Sequence, residues 1–181
     1  TVTGDVQVML PGSSWQPGSA NMLLPSGTMV KTGAKSSAVI KWSAENVMKL
    51  TPFTNFTIKD IDIDPRTKTV SSNMDLFVGK VKAKAEKLRN PNSEFTITTP
   101  TAVAGVRGTV FDLENTADNT TNITTHEGAV DVSAKGQTIS VPAGQQASVA
   151  PGAPPSDPKP ISEDKKDACE MDEDCWSGKC E

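Results

Sequence analysis

Residues 98–111, Thr-Thr-Pro-Thr-Ala-Val-Ala-Gly-Val-Arg-Gly-Thr-Val-Phe, hold a single charge, Arg107, among small and apolar side chains. A guanidinium keeps its proton at any biological pH and carries five donors in a rigid plane. Two chemistries suit it. It can cross a turn and bond to backbone carbonyls or to a carboxylate such as Asp112 or Glu127, or it can receive a carboxylate or phosphate of a ligand. Gly105 and Gly108 bracket the Val106-Arg107 pair and permit a tight bend or a bulge. With apolar neighbours on both sides, burial and an internal partner are the favoured reading, because buried charges are paired.

The remaining reactive groups do not converge. His126 is the single histidine, so any Ser-His-Asp or Cys-His arrangement must use it, and no Gly-x-Ser-x-Gly elbow accompanies it. Its place beside Glu127-Gly128 predicts an exposed imidazole at a turn. No P-loop, dinucleotide fingerprint or histidine-rich metal cluster occurs, so the chain reads as non-enzymatic, without cofactor or metal. Asp60-Ile61-Asp62-Ile63-Asp64-Pro65 alternates carboxylates, but a calcium loop needs a central Gly and a distal Glu. A strand with outward carboxylates and inward isoleucines, ending in a turn at Asp64-Pro65, explains the same letters. Trp15, Trp42 and Trp176 are too widely separated to form a sugar-stacking platform, and packing is expected of them.

All three cysteines lie at the C-terminus, as Cys169-x5-Cys175-x4-Cys180. Without a nearby histidine or a CxxC pair, zinc is the weaker reading and disulfides the stronger. Their setting resembles the small "C…DC…SGxC" modules of exported bacterial proteins, here ending within the module. Disulfides imply an oxidising compartment, periplasm or cell surface. An acidic tail with idle thiols is the alternative. The chain begins at Thr1 without an evident signal peptide, as expected of a mature or excised segment, and no apolar run is long enough to span a bilayer. Net charge is −4. Residues 161–181 contribute about −5 and residues 1–160 about +1, so neither part offers the basic stripe that nucleic-acid binding requires.

Short apolar-alternating runs dominate, among them Val6-Gln7-Val8-Met9-Leu10, Ala38-Val39-Ile40-Lys41-Trp42, Phe95-Thr96-Ile97 and Val110-Phe111-Asp112-Leu113. Gly, Pro, Asn and Asp punctuate the intervals between such runs, which predicts an all-β domain with frequent turns. Gly128, Gly136, Gly144 and Gly152 recur every eight residues with strand-like runs between them, a spacing that stacked rungs would fit. Residues 78–88 satisfy both a helical face and strict alternation with Lys80, Lys82 and Lys84 outward; strand is the reading adopted, with lysines as on a protected edge. Five prolines within residues 151–160 predict an extended linker. The expected organisation is a β domain over 1–150, a Pro-rich acidic linker over 151–166, and the start of a small Cys-rich module over 167–181.

The central stretch closely resembles the signature of the FecR domain family, approximately TPTAVAGVRGTxF. The positions that carry it are Thr99, Pro100, Val106, Arg107, Gly108, Thr109 and Phe111. Glu127-Gly128-Ala129-Val130-Asp131-Val132 resembles the family's "EGxVxV" segment and Ala143-Gly144-Gln145 its "AGQ" segment. Gly4-Asp5-Val6-Gln7-Val8, Trp15 and Gly27-Thr28-Met29-Val30-Lys31-Thr32-Gly33 are similar to its opening strands. The resemblance covers about residues 4–150 and implies short strands stacked in a solenoid-like or sandwich-like arrangement. It further implies a periplasmic sensor that regulates a sigma factor in response to an outer-membrane receptor. In that architecture a cytoplasmic segment and a membrane helix precede the domain, and neither lies within residues 1–181. The reading taken from the sequence is therefore an exported binding or sensing module whose partner is another envelope protein or a cell-wall polymer. A glycan or peptidoglycan-binding module, or the periplasmic part of a sigma-factor regulator, is the alternative.

Overall fold

Alternation of buried and exposed residues along short segments, as in Val6-Gln7-Val8-Met9, is what a strand with one face on a core requires. The computed structural model describes residues 1–42, 46–64, 66, 67, 69–85 and 93–161, and among these all regular structure is β. The first eight strands are β1 (Val2–Thr3), β2 (Val6–Met9), β3 (Gln16–Pro17), β4 (Thr28–Thr32), β5 (Ser37–Lys41), β6 (Val47–Leu50), β7 (Asn55–Asp64) and β8 (Thr69–Lys84). The next eight are β9 (Glu94–Thr98), β10 (Val103–Val106), β11 (Val110–Asn115), β12 (Thr121–Glu127), β13 (Ala129–Ala134), β14 (Gln137–Pro142), β15 (Gln145–Val149) and β16 (Lys159–Pro160).

The strands form two layers. One runs β1-β5-β6-β8-β11-β12-β15-β16, the other β3-β2-β4-β7-β8-β9-β10-β13-β14. We call them the first and second layer. The sixteen residues of β8 belong to both: its N-terminal part pairs with β7 and β9, its C-terminal part with β6 and β11. The passage occurs at Gly79, where φ is +102° and a Cβ would stand 2.5 Å from Thr54 Cα and 2.8 Å from the Phe53 carbonyl oxygen. Only glycine fits that turn.

Between the layers lies one apolar core that draws on both, including Met48, Leu50, Phe56, Leu76, Ile97, Phe111, Ile123 and Val141, each completely shielded from solvent. Each such side chain contributes about 1.5–3 kcal/mol on burial. Phe95 of the second layer bridges to Trp42 at 5.3 Å and to Phe111 of the first at 6.4 Å between ring centroids. Three aromatic rings meet at this contact, and Phe56 adds a further one to the core.

The all-β, sandwich-like expectation holds, and the solenoid-like one is corrected. A solenoid stacks successive rungs in parallel, whereas here every strand pair but β8–β9 is antiparallel. The eight-residue glycine spacing has a different cause. Gly136 closes the β13–β14 hairpin with Lys135, φ +76° and +50°, as a two-residue primed turn demands. Gly128 and Gly144 mark the points where the chain passes from one layer to the other. Residues 78–84 are strand, but the protected-edge reading is corrected: this part of β8 is central, between β6 and β11. Residues 151–161, within the stretch expected as an extended Pro-rich linker, run back along β15. Ser156 N–H bonds to Ser148 O at 2.9 Å, Ile161 N–H to Gly144 O at 3.0 Å, and Pro155 is buried.

Candidate functional site

The signature segment begins with a turn whose hydroxyls are internal structure. Thr99 Oγ1 accepts the N–H groups of Ala102 (3.0 Å) and Thr101 (3.4 Å) and contacts Thr121 Oγ1 at 2.7 Å. Thr101 Oγ1 contacts the same Thr121 oxygen at 2.7 Å, and Thr121 donates to Asn115 Oδ1 at 3.1 Å. Thr99 Oγ1 also lies 3.1 Å from Ala102 O and Thr101 Oγ1 3.1 Å from Asn119 O, so the three hydroxyl protons are shared among these carbonyls, Asn115 Oδ1 and one another. Asn115 Nδ2 then donates to the Phe77 carbonyl at 2.5 Å, tying the turn to β8. Thr121 and Asn115 are fully buried, so this network replaces all the water these groups would otherwise bind.

At its other end the segment interlocks with the Glu127-Gly128 segment. Thr109 N–H and C=O pair with Ala85, and its hydroxyl donates to Ala129 O at 2.8 Å. Gly108 has φ +65° and Gly128 φ +76°. Val106 and Phe111 face the core, while Gly105, expected to sit in a crowded bend, is an ordinary strand residue. A Cβ there would meet only Asp131 O at 3.8 Å.

Arg107 is exposed, and among the described residues it has no hydrogen-bond or ion-pair partner. The expected burial is thereby corrected. Side chains alternate across β10, so with Val106 inward the next residue must point out. Arg107 stands at the rim of a groove of about 340 Å³ on the outer face of the second layer. Gly105 lies on its floor, and Glu94, Asp131, Ser93 and Ser140 line it. Glu127 is exposed at the end of β12, and Pro100 and Gly144 lie in turns; none of the three lines the groove.

The carboxylate expected to pair with Arg107 serves another cluster. Asp112, on the outer face of the first layer, lies 2.8 Å from Lys80 Nζ, 4.0 Å from Lys82 Nζ and 3.5 Å from His126 Nε2. Burial pushes its carboxyl up, but His126 and the charges of Lys80 and Lys82 outweigh this and hold it below the usual carboxylate range. His126 is therefore not at a turn: it lies in β12, with Asp112 of β11 between it and Lys80 of β8. Local reading missed this cluster because it joins three strands. The outward alternation of Lys80 and Lys82 was the available signal, and their register opposite Asp112 was not. Asp64 Oδ1 accepts the N–H groups of Arg66 (2.8 Å) and Thr67 (3.3 Å), the turn expected there. Trp15 lies under Lys31 Nζ, 4.3 Å from the ring centroid. Cys169, Cys175, Cys180 and Trp176 lie outside the described residues.

Among the described residues no nucleophile is assembled with a base; these residues offer a polar groove lined by Arg107 and exposed sheet surface. Comparison with known proteins agrees with the architecture. Two crystal structures of a proposed anti-sigma factor from Parabacteroides distasonis share the fold, with TM-scores of 0.60 and 0.59 at 14% sequence identity. Each alignment covers 76% of this chain and 61% of the other, so the chain spans about three fifths of the length of these relatives. No curated protein matches the sequence. The profile described as "FecR protein" matches residues 28–131, more than half of the chain, and encloses the stretch from Thr99 to Gly128, while Gly144 and the segment from Gly4 to Trp15 lie outside it. The chain belongs to the FecR family.

Proposed function

We propose that this chain is the periplasmic, non-enzymatic part of a sigma-factor regulator, which receives its signal by contact with another envelope protein. The observation that carries the reading is family membership across residues 28–131, supported by the fold shared with an anti-sigma factor. The site chemistry agrees in kind. The hydroxyls of Thr99, Thr101 and Thr109 are spent on internal bonds, and the groups left to a partner are Arg107 and Asp131 on a sheet face, beside Glu94, whose Oε1 accepts Thr96 Oγ1 at 3.0 Å. Polar rims of this sort suit protein recognition better than bond-breaking chemistry. A cell-wall polymer as partner is the competing reading.

Deleting codons 28–131 from the full-length gene should uncouple a sigma-dependent reporter from its envelope stimulus. Unchanged induction in that strain would overturn the proposal. Retention of the purified domain by peptidoglycan sacculi, without any effect on the reporter, would favour the polymer.

A further inference from the structure

Sheet edges attract other strands unless they are blunted. Among the described residues, three of the four strands that end the two layers are blunted by brevity or proline: β1 has two residues, β3 two with Pro17, and β16 two with Pro160. The fourth, β14, runs six residues, Gln137-Thr138-Ile139-Ser140-Val141-Pro142, without a charge. Its partner β13 pairs Ala134 with Gln137 across the two-residue turn. The antiparallel alternation then commits Gln137, Ile139 and Val141 to β13. Thr138 and Ser140 are left with N–H and C=O, and Pro142 with C=O, directed away from the sheet. No backbone partner for these groups occurs among the described residues. The same three side chains are exposed on the outer face.

The chemistry beside this edge selects what can join it. Asp131 is directly opposite Ser140, exposed, and without an ion-pair partner among the described residues. It walls the groove over Gly105. A strand added outside β14 would lie about 10 Å from β13, two strand spacings. A lysine or arginine placed opposite the small Ser140 can span that gap to the Asp131 carboxylate.

We infer that β14 is a docking edge for an extended segment of a partner protein, which adds as a further strand and carries a basic residue opposite Ser140. The inference rests on the reading that the partner is a protein. It names the contact: backbone pairing to Thr138, Ser140 and Pro142 for affinity, and Asp131 for selection.

The test uses blocked seven-residue peptides of alternating Thr and Val with Lys, Ala or Glu at the centre, followed by amide chemical shifts of the labelled protein. Shifts should centre on Thr138 and Ser140. The Lys peptide should bind on the order of three- to fivefold more tightly than the Ala peptide, the scale of one exposed ion pair, and the Glu peptide more weakly. Asp131→Lys should invert that order. Ser140→Pro should abolish binding with the fold intact, since the lost N–H is not in the β13 ladder. Should that variant fail to fold, the Asp131→Lys inversion still decides. Shifts away from β14, no binding at all, or equal affinity for Lys and Glu peptides would overturn the inference. Self-association removed by Ser140→Pro would also overturn it, by making a second copy the occupant. Peptide binding that persists when the reporter strain shows no uncoupling would remove the regulator reading and leave the edge contact standing.

Discussion

The carbonyl oxygen of Gly108 occupies the position that a side chain on Gly128 would need. A Cβ built on Gly128 runs into that oxygen and lies 3.1 Å from Thr109 Oγ1 and 3.2 Å from Thr109 Cα. Two segments twenty residues apart are thus keyed together by backbone. The Thr109 hydroxyl bonded to Ala129 O fastens the contact. Both segments carry the family resemblance, and their contact accounts physically for their occurring together.

Gly128→Ala should therefore destabilise the domain by about 2–4 kcal/mol, combining a positive φ with a clash against backbone that cannot swing aside. Gly105→Ala, with open space and ordinary strand geometry, should be neutral or stabilising by up to about 1 kcal/mol. Denaturant titration of the two variants checks the pair. Equal losses would contradict the interlock.

Thr121→Val keeps the shape of the side chain and removes the oxygen on which Thr99, Thr101 and Asn115 converge. Asn115 Oδ1 would be left buried without its donor, at about 1–3 kcal/mol, while Thr99 and Thr101 keep Ala102 O and Asn119 O as acceptors. Chemical denaturation reads this directly. A loss below about 0.5 kcal/mol would mean the network is not sealed from water.

Asp112 gives the domain an acid-sensitive term. Its folded carboxyl is held below the usual range, so it contributes stability that is fully present above the unfolded value near about pH 4. That contribution is lost as pH falls through the lower folded value. Asp112→Asn should lower the melting temperature at pH 7 and flatten its decline in acid. A parallel decline in both proteins would show that Lys80 and Lys82 do not sense the charge.

Arg107→Ala should melt within about 0.5 kcal/mol of the parent, as expected of an exposed side chain without a partner among the described residues. Any phenotype should then appear in partner binding rather than in stability. Thermal unfolding alongside the sigma-dependent reporter separates the two. A large loss of stability would reinstate the buried reading.

Ending the chain at residue 150 should lower the melting temperature. Removing residues 151–161 takes away the β16 pairing, the Ser156 bonds to Ser148 and the buried Pro155. Calorimetry of the truncated domain checks this, and an unchanged transition would show that the folded-back segment adds nothing.

The sequence by itself determined the β class, because alternation with period two and turn residues at short intervals are local properties. Val6-Gln7-Val8-Met9 and Ala129-Val130-Asp131-Val132 could be assigned from their own letters, and the family was legible from Thr99 to Phe111. Which strands become neighbours was not legible, since pairing depends on residues far apart in the chain. Lys80 and Lys82 looked like an edge until β11 placed Asp112 beside them. The outward turn of Arg107 followed from packing Val106 into a core shared by both layers. Local patterns record which face of a strand is apolar. Only the tertiary structure decides what lies against that face, and so which side chains are left for a partner.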